Sequence, residues 1–146
     1  MTHDEFIAEY RKVSARAVYL SEKSRREGLL AIEDGIDTEK ENQRDIIEYG
    51  LRLTVDGTDN SVIRDILENI IRQEEDKYTR LLMEIKKEAV LSIQAGENSR
   101  ITVYRLNSFT NMELTEDPIL QKYMDKPDDT GKFSDDEIDV LIEGKS

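Results

Sequence analysis

Apolar residues along the first twenty positions fall at spacings of three and four. Phe6, Tyr10, Val13, Ala17 and Leu20 share one helical face. Thr2 and Glu5 make a T-x-x-E capping box at its start, and Gly28 is placed to end or bend it. The helical pattern resumes in "GLLAIED", and "DGIDTEKENQRD" is polar enough to be a loop or short turn. "IIEYGLRLTVDGTD" begins as a short helix and closes in a turn around Gly57. From Asn60 to Gly96 the residues Ile63, Ile66, Leu67, Ile70, Ile71, Tyr78, Leu81, Leu82, Ile85 and Ala89 trace one apolar face. This predicts a single long helix, N-capped by Asn60 or Ser61 and stopped at Gly96. Its polar middle, "RQEEDK", projects beyond its neighbours. "SRITVYRL" alternates weakly and is β-branched, the pattern of one short strand or an extended segment. After Leu114 the pattern thins, with room for one or two helical turns after Pro118, and "DKPDDTGK" reads as a linker.

The expected fold is therefore all-α: a small elongated helical bundle with one long helix, a single short strand and a C-terminal tail ending in a short helix. Residues 1–114 form the helical domain, residues 115–132 a partly disordered linker and residues 133–146 a docking peptide.

Composition sharpens this reading. Of 146 residues, 37% are hydrophobic and 37% charged, a balance suited to helices with solvated faces rather than a thick core. The net charge of −12 disfavours nucleic acid, whose phosphates would be repelled. No cysteine is present, which removes disulfides, thiolate metal sites and cysteine nucleophiles, and fits a reducing cytoplasm. No apolar run approaches the ~18 residues of a membrane span. His3 stands alone near the terminus, and the carboxylates at Gln73–Asp76 and Asp135 lack the spacing of a calcium loop. No cofactor, metal or catalytic constellation is expected.

The tail carries complete helix punctuation. Ser134 as N-cap and Glu137 three residues on make a capping box, Phe133 and Ile138 the two halves of a hydrophobic staple, and Gly144 a stop. Ile138, Leu141 and Ile142 share a face. From Asp125 to Ser146 there are eight acidic and three basic side chains, so a receiving groove should be basic. Such a short helix is marginal alone and folds when a groove accepts its apolar side. An alternative is that it latches onto its own bundle or a neighbouring copy, making the protein a self-associating subunit.

Two stretches resemble components of one machine. "SEKSRREGLLAIED", followed by "IIEYGLRLTVDGTDNSVIRDILENIIRQEEDKYTRLL", resembles the cytoplasmic region of the flagellar stator protein MotA over about residues 10–85. The resemblance implies that Arg25, with Arg26 beside it, and Glu33 face the rotor protein FliG. Stator subunits carry membrane helices on either side of this region. Here the chain continues as "KKEAVLSIQAGENSRITVYRL", and no span precedes Met1. The expectation is a relative without an ion channel, lying in the cytoplasm at the periphery of the motor. "FSDDEIDVLIEGKS" is similar to the L-S-x-x-E-I-D-x-L-L peptide of the switch protein FliM. That similarity implies binding of a CheY-type response regulator through Phe133, Ser134, Glu137, Ile138, Asp139, Leu141 and Ile142, although in that family the peptide is N-terminal. Between Tyr10 and Arg26 six basic residues face one acidic residue, which suits a rotor-facing stripe or weak contact with a membrane surface.

Overall fold

The apolar stripe of the first segment becomes α1, His3–Glu27, with Thr2 accepting from the Glu5 N–H as its cap. Phe6, Tyr10, Val13, Ala17 and Leu20 are all buried. Gly28, at φ 92°, ends the helix in a conformation that costs other residues energy. The computed structural model describes residues 1–124. Its further elements are a 3₁₀ turn over Leu29–Gly35, then α2 (Thr38–Asn42), α3 (Ile46–Val55), α4 (Asn60–Ile71), α5 (Lys77–Gln94), α6 (Ser99–Asn107), a 3₁₀ turn over Leu114–Glu116 and α7 (Pro118–Met124). The described residues are all-α, as expected.

Helix α5 is the centre of the bundle and packs against α1, α3, α4 and α6. The main core joins α1, α3 and α5 through Tyr10, Leu51, Ile85 and Ile93, with Ile32 and Ile36 plugged in from the first 3₁₀ turn. A second cluster lies between α3, α4 and α5, around Ile63, Leu67 and Val90. A third joins α1 to α6 and α7 through Val18, Val103, Ile119 and Leu120. Burying each such aliphatic side chain contributes about 1.5–3 kcal/mol before chain entropy is counted.

Two expectations are corrected. The single helix expected from Asn60 to Gly96 is two antiparallel helices. Arg72–Asp76 forms the turn between them, and Asp76 caps α5 by accepting from the Thr79 N–H at 2.9 Å. Asn60 near the start of α4 bonds Gln94 at the end of α5, and Lys87 of α5 pairs with Glu68 of α4. The polar "RQEEDK" is thus where the chain reverses. The cap of α4 is Asp59, which accepts from Ser61 N–H.

The segment expected to be a strand is α6. Asn98 caps it, accepting from the Arg100 N–H at 2.8 Å, and Thr102, Val103, Leu106 and Asn107 turn inward at helical spacing. The described residues contain no strand for it to pair with, so helix is the state that satisfies its backbone.

The one or two helical turns expected after Pro118 are α7. Helix α7 packs on α6 and α1, and Asp117, Ile119 and Leu120 are buried. Asp117 is fully buried yet well partnered. Its Oδ1 accepts from the N–H groups of Ile119 (2.9 Å) and Leu120 (3.2 Å), and its Oδ2 accepts from Asn107 (3.0 Å) and the Tyr10 hydroxyl.

Burial, and then the Asp117 charge, push the Tyr10 phenol far above its ordinary value of 10.0. On unfolding the phenol regains its ordinary value, so above about pH 10 the unfolded chain sheds the proton first. This contribution is complete below about pH 10 and declines above it, by about 1.4 kcal/mol per pH unit. Urea melts at about pH 8 and about pH 11 should show wild type losing about 1 kcal/mol more than Tyr10→Phe across that interval. Equal losses would mean that Tyr10 does not carry the effect.

Candidate functional site

The last turn of α1 brings Arg25 and Arg26 to the surface. Two residues later the 3₁₀ turn Leu29–Gly35 begins. Ile32, wholly buried, pins this turn to the core, and Leu30, 71% exposed, points the other way. Glu33 follows on the exposed side. Arg25, Arg26, Leu30 and Glu33 are all exposed along the stretch where α1 gives way to the 3₁₀ turn, a corner in the chain path with one apolar residue among charges.

Glu33 is held by an interaction that its sequence position does not announce. Arg52 of α3 donates from Nη1 to Glu33 at 3.0 Å and from Nε to Glu41 at 2.8 Å. The guanidinium bridges the corner to α2, and its own pKa is raised by hydrogen bonds to Glu41 and then Glu33. The Glu33 side chain retains 52% exposure, so its carboxylate is positioned while still open to a partner.

Beneath the turn lies a second, more buried clamp. Arg16 of α1 makes two bonds to Glu48 of α3, one of them 2.7 Å long, and donates to the Gly35 carbonyl at 3.0 Å. Glu48 in turn accepts from the Asp37 N–H at 3.0 Å. Two side chains thus tie both ends of the turn's exit, Gly35 and Asp37, to two different helices. The Glu48 side chain is 2% exposed and that of Arg16 28%.

On the far side of α3, Asp45 caps the helix through the Ile47 and Glu48 N–H groups and pairs with Lys86 of α5 at 2.9 Å. Burial works against its charge, but Lys86 and these donors prevail and lower its pKa. The clamps fix α3 against α1 and α5, and with it the corner.

Not all of the basic first helix is available for docking. Arg16 is committed inward, and Lys12 pairs with Glu9 at 3.3 Å. The expected stripe is therefore interrupted at Arg16, while Lys12, Arg25 and Arg26 are exposed. The tail residues Phe133, Ser134, Glu137, Ile138, Asp139, Leu141 and Ile142 lie outside the described residues.

Sequence reading missed the clamps around Glu33. One signal was present. Glu48 stands three residues before Leu51, on the buried face of α3, and a carboxylate there requires a cationic partner. Arg16 is one residue from Ala17 and four before Leu20, beside the apolar stripe of α1. What the sequence lacks is any sign that these two meet.

Fold and corner together define an all-helical module that presents fixed charge at its surface. Among the described residues no helix is long and apolar enough to cross a membrane. The chain is similar to Motility protein A of Treponema phagedenis, at 35% identity over 82 residues, and to Motility protein A of Treponema pallidum (strain Nichols), at 34% over 82 residues. The aligned stretch is 56% of this chain and 30% of each relative, so the chain spans less than a third of the proteins it matches. No protein-family profile matches the chain, and no solved structure does. The similarity to Motility protein A is distant and covers part of each protein.

Proposed function

We propose that this chain is a non-catalytic, cytoplasmic interaction protein of the flagellar motor, whose charged corner meets a FliG-like rotor protein. The observation that carries this reading is the placement of Arg25, Arg26 and Glu33 at one solvent-facing corner of a chain similar to Motility protein A. Exposed arginines beside an anchored carboxylate can meet a partner helix of alternating charge. Such a contact gains in encounter rate and register more than in raw affinity. Leu30 gives the corner a small apolar centre.

The test is calorimetric titration of the full chain with a FliG-like protein at low and moderate salt. Arg25→Glu with Arg26→Glu is expected to weaken binding at least about tenfold, with the wild-type affinity itself falling as salt rises. Both substitutions are exposed, so melting should be nearly unchanged. Absence of wild-type binding at any salt would sink the reading.

The tail motif supports a second contact, with a CheY-type response regulator, through the apolar face of Ile138, Leu141 and Ile142. Ordering a short helix on binding offsets part of the interaction, so affinity on the order of micromolar is expected. A peptide of residues 130–146 should bind the phosphorylated regulator more tightly than the unphosphorylated form, and Leu141→Ala should abolish binding. No binding at high micromolar regulator would remove this part of the proposal.

A further inference from the structure

Helices α3 and α4 form a hairpin with an apolar outer seam. A Cβ at Gly50 would stand 3.2 Å from Leu67, so the two helices touch near their middles. Tyr49 and Leu53 of α3 and Ile70 of α4 pack against the cluster between these helices while remaining partly exposed. Ile66, half-buried, and Val62, 45% exposed, continue the line back from Ile70 at intervals of four. The opposite flank of α4 is polar, with Arg64 paired to Glu88 and Glu68 to Lys87, both on α5. From Val62 to Ile70 the apolar strip is about 12 Å long, a little over two helical turns.

The free charge along this seam has one sign. Between Ile46 and Ile71 the cations are Arg52 and Arg64. Arg52 is turned to Glu33 and Glu41, and Arg64 to Glu88. Glu48 and Glu68 are paired as well, with Arg16 and Lys87. That leaves Asp56 and Asp59 at the turn and Asp65 beside Ile66, all exposed and none in an ion pair among the described residues. The next cation along the chain, Arg72, follows the end of α4.

We propose that the α3–α4 seam is a docking groove for a basic amphipathic helix of another protein. The apolar side of that helix lies on Leu53, Val62, Ile66 and Ile70, and lysines or arginines beside it meet Asp56 and Asp65. A second copy of this chain fits poorly, because it would set the same aspartates against one another. None of Arg25, Arg26 and Glu33 takes part, so the inference stands apart from the rotor reading.

The test uses the full chain and a labelled synthetic peptide of leucine and lysine, about 18 residues long, with its leucines three and four apart. Fluorescence anisotropy should show saturable binding, about tenfold tighter than for the same residues in an order that leaves no apolar face. Val62→Gln with Ile66→Gln should weaken binding about tenfold, and Asp56→Lys with Asp65→Lys by at least as much. Glu113→Lys with Glu116→Lys makes the same change of charge on exposed residues ahead of α7, and should leave binding within about twofold. Val62, Asp56 and Asp65 are exposed, so heat melts of Val62→Gln alone and of the aspartate variant should match wild type. Equal weakening by the two charge-reversed proteins would overturn the proposal, as would equal binding of the two peptides. Either result would mean attraction between opposite charges without a groove. A dimer of the free chain that Val62→Gln with Ile66→Gln dissociates would also overturn it, by placing a second copy on the seam. The assay contains no rotor protein, so its failure leaves the rotor reading standing.

Discussion

Arg16→Met is expected to destabilise the protein by about 4 kcal/mol, more than Glu48→Leu, although Arg16 is the more exposed of the two. The asymmetry comes from what each variant leaves behind. Without Arg16, the Glu48 carboxylate remains 2% exposed and keeps just the Asp37 N–H among the bonds that fix it to the turn. Without Glu48, Arg16 keeps the Gly35 carbonyl and is near enough to the surface for water to solvate it. Glu48→Leu should therefore cost about 2 kcal/mol.

The double variant should recover much of the loss, because an apolar pair replaces an ion pair without leaving a buried charge. Urea melts of the four proteins give the coupling, and the Arg16→Met midpoint should fall by about 10 °C on heating. Amide exchange over Leu29–Gly35 should accelerate in both single variants, since Arg16 and Glu48 hold Gly35 and Asp37 in place. A loss confined to α1 and α3, with the turn still protected, would show that Ile32 and Ile36 alone position the corner. Failure of Arg16→Met to exceed Glu48→Leu would refute the account of the clamp.

Gly50→Val should cost about 3 kcal/mol, for a reason opposite to a cavity. A Cβ at Gly50 would lie 2.8 Å and 2.9 Å from the two methyls of Val90 and 3.2 Å from Leu67. Val90 is wholly buried and β-branched, so it has little freedom to move aside. At Gly50, α3 lies so close to Val90 of α5 that no side chain fits between them. Gly50→Ala is the finer test. Alanine favours a helix interior by about 1 kcal/mol over glycine, which offsets part of an overpacking penalty of about 2 kcal/mol. A net loss near 1 kcal/mol is expected, and adding Val90→Ala should cost less in that background than in wild type. If Gly50→Ala stabilises the protein, the two helices separate more easily than their packing implies.

The residues that were legible in the sequence share a property: each acts on neighbours within a few positions. The stripe from Phe6 to Leu20, its Thr2 cap and the Gly28 stop are recorded in local spacing, and the structure contains all three. Spacing alone also placed the apolar faces of α4 and α5, yet it joined them, because Ile71 and Tyr78 are in register for one continuous stripe. Asp76 capping Thr79 ends that continuity, and the hairpin buries Ile63 and Leu67 against Val90 and Leu91, which a straight helix would leave apart. α6 was misread for a related reason. Ile101, Thr102 and Val103 favour a strand locally, but with no strand for them to pair with, the Asn98 cap and the buried helical face prevail.

The sequence offered Arg25, Arg26 and Glu33 as candidates but gave no sign of Arg52, which holds Glu33. Arg16 and Glu48 are 32 positions apart, and Tyr10 and Asp117 are 107 apart. A charge on an otherwise apolar face signals that a partner is needed, while its identity depends on which helices come to lie side by side. The sequence by itself determined that this chain is helical, acidic and rich in caps, because periodicity and capping are short-range properties of the backbone. The tertiary structure decided where the long stripe folds back, which carboxylates are buried with arginine, and that Leu30 and Glu33 stand outward at one corner. Those outcomes follow from burying three apolar clusters around α5, a requirement met by the whole chain at once and written in no single segment of it.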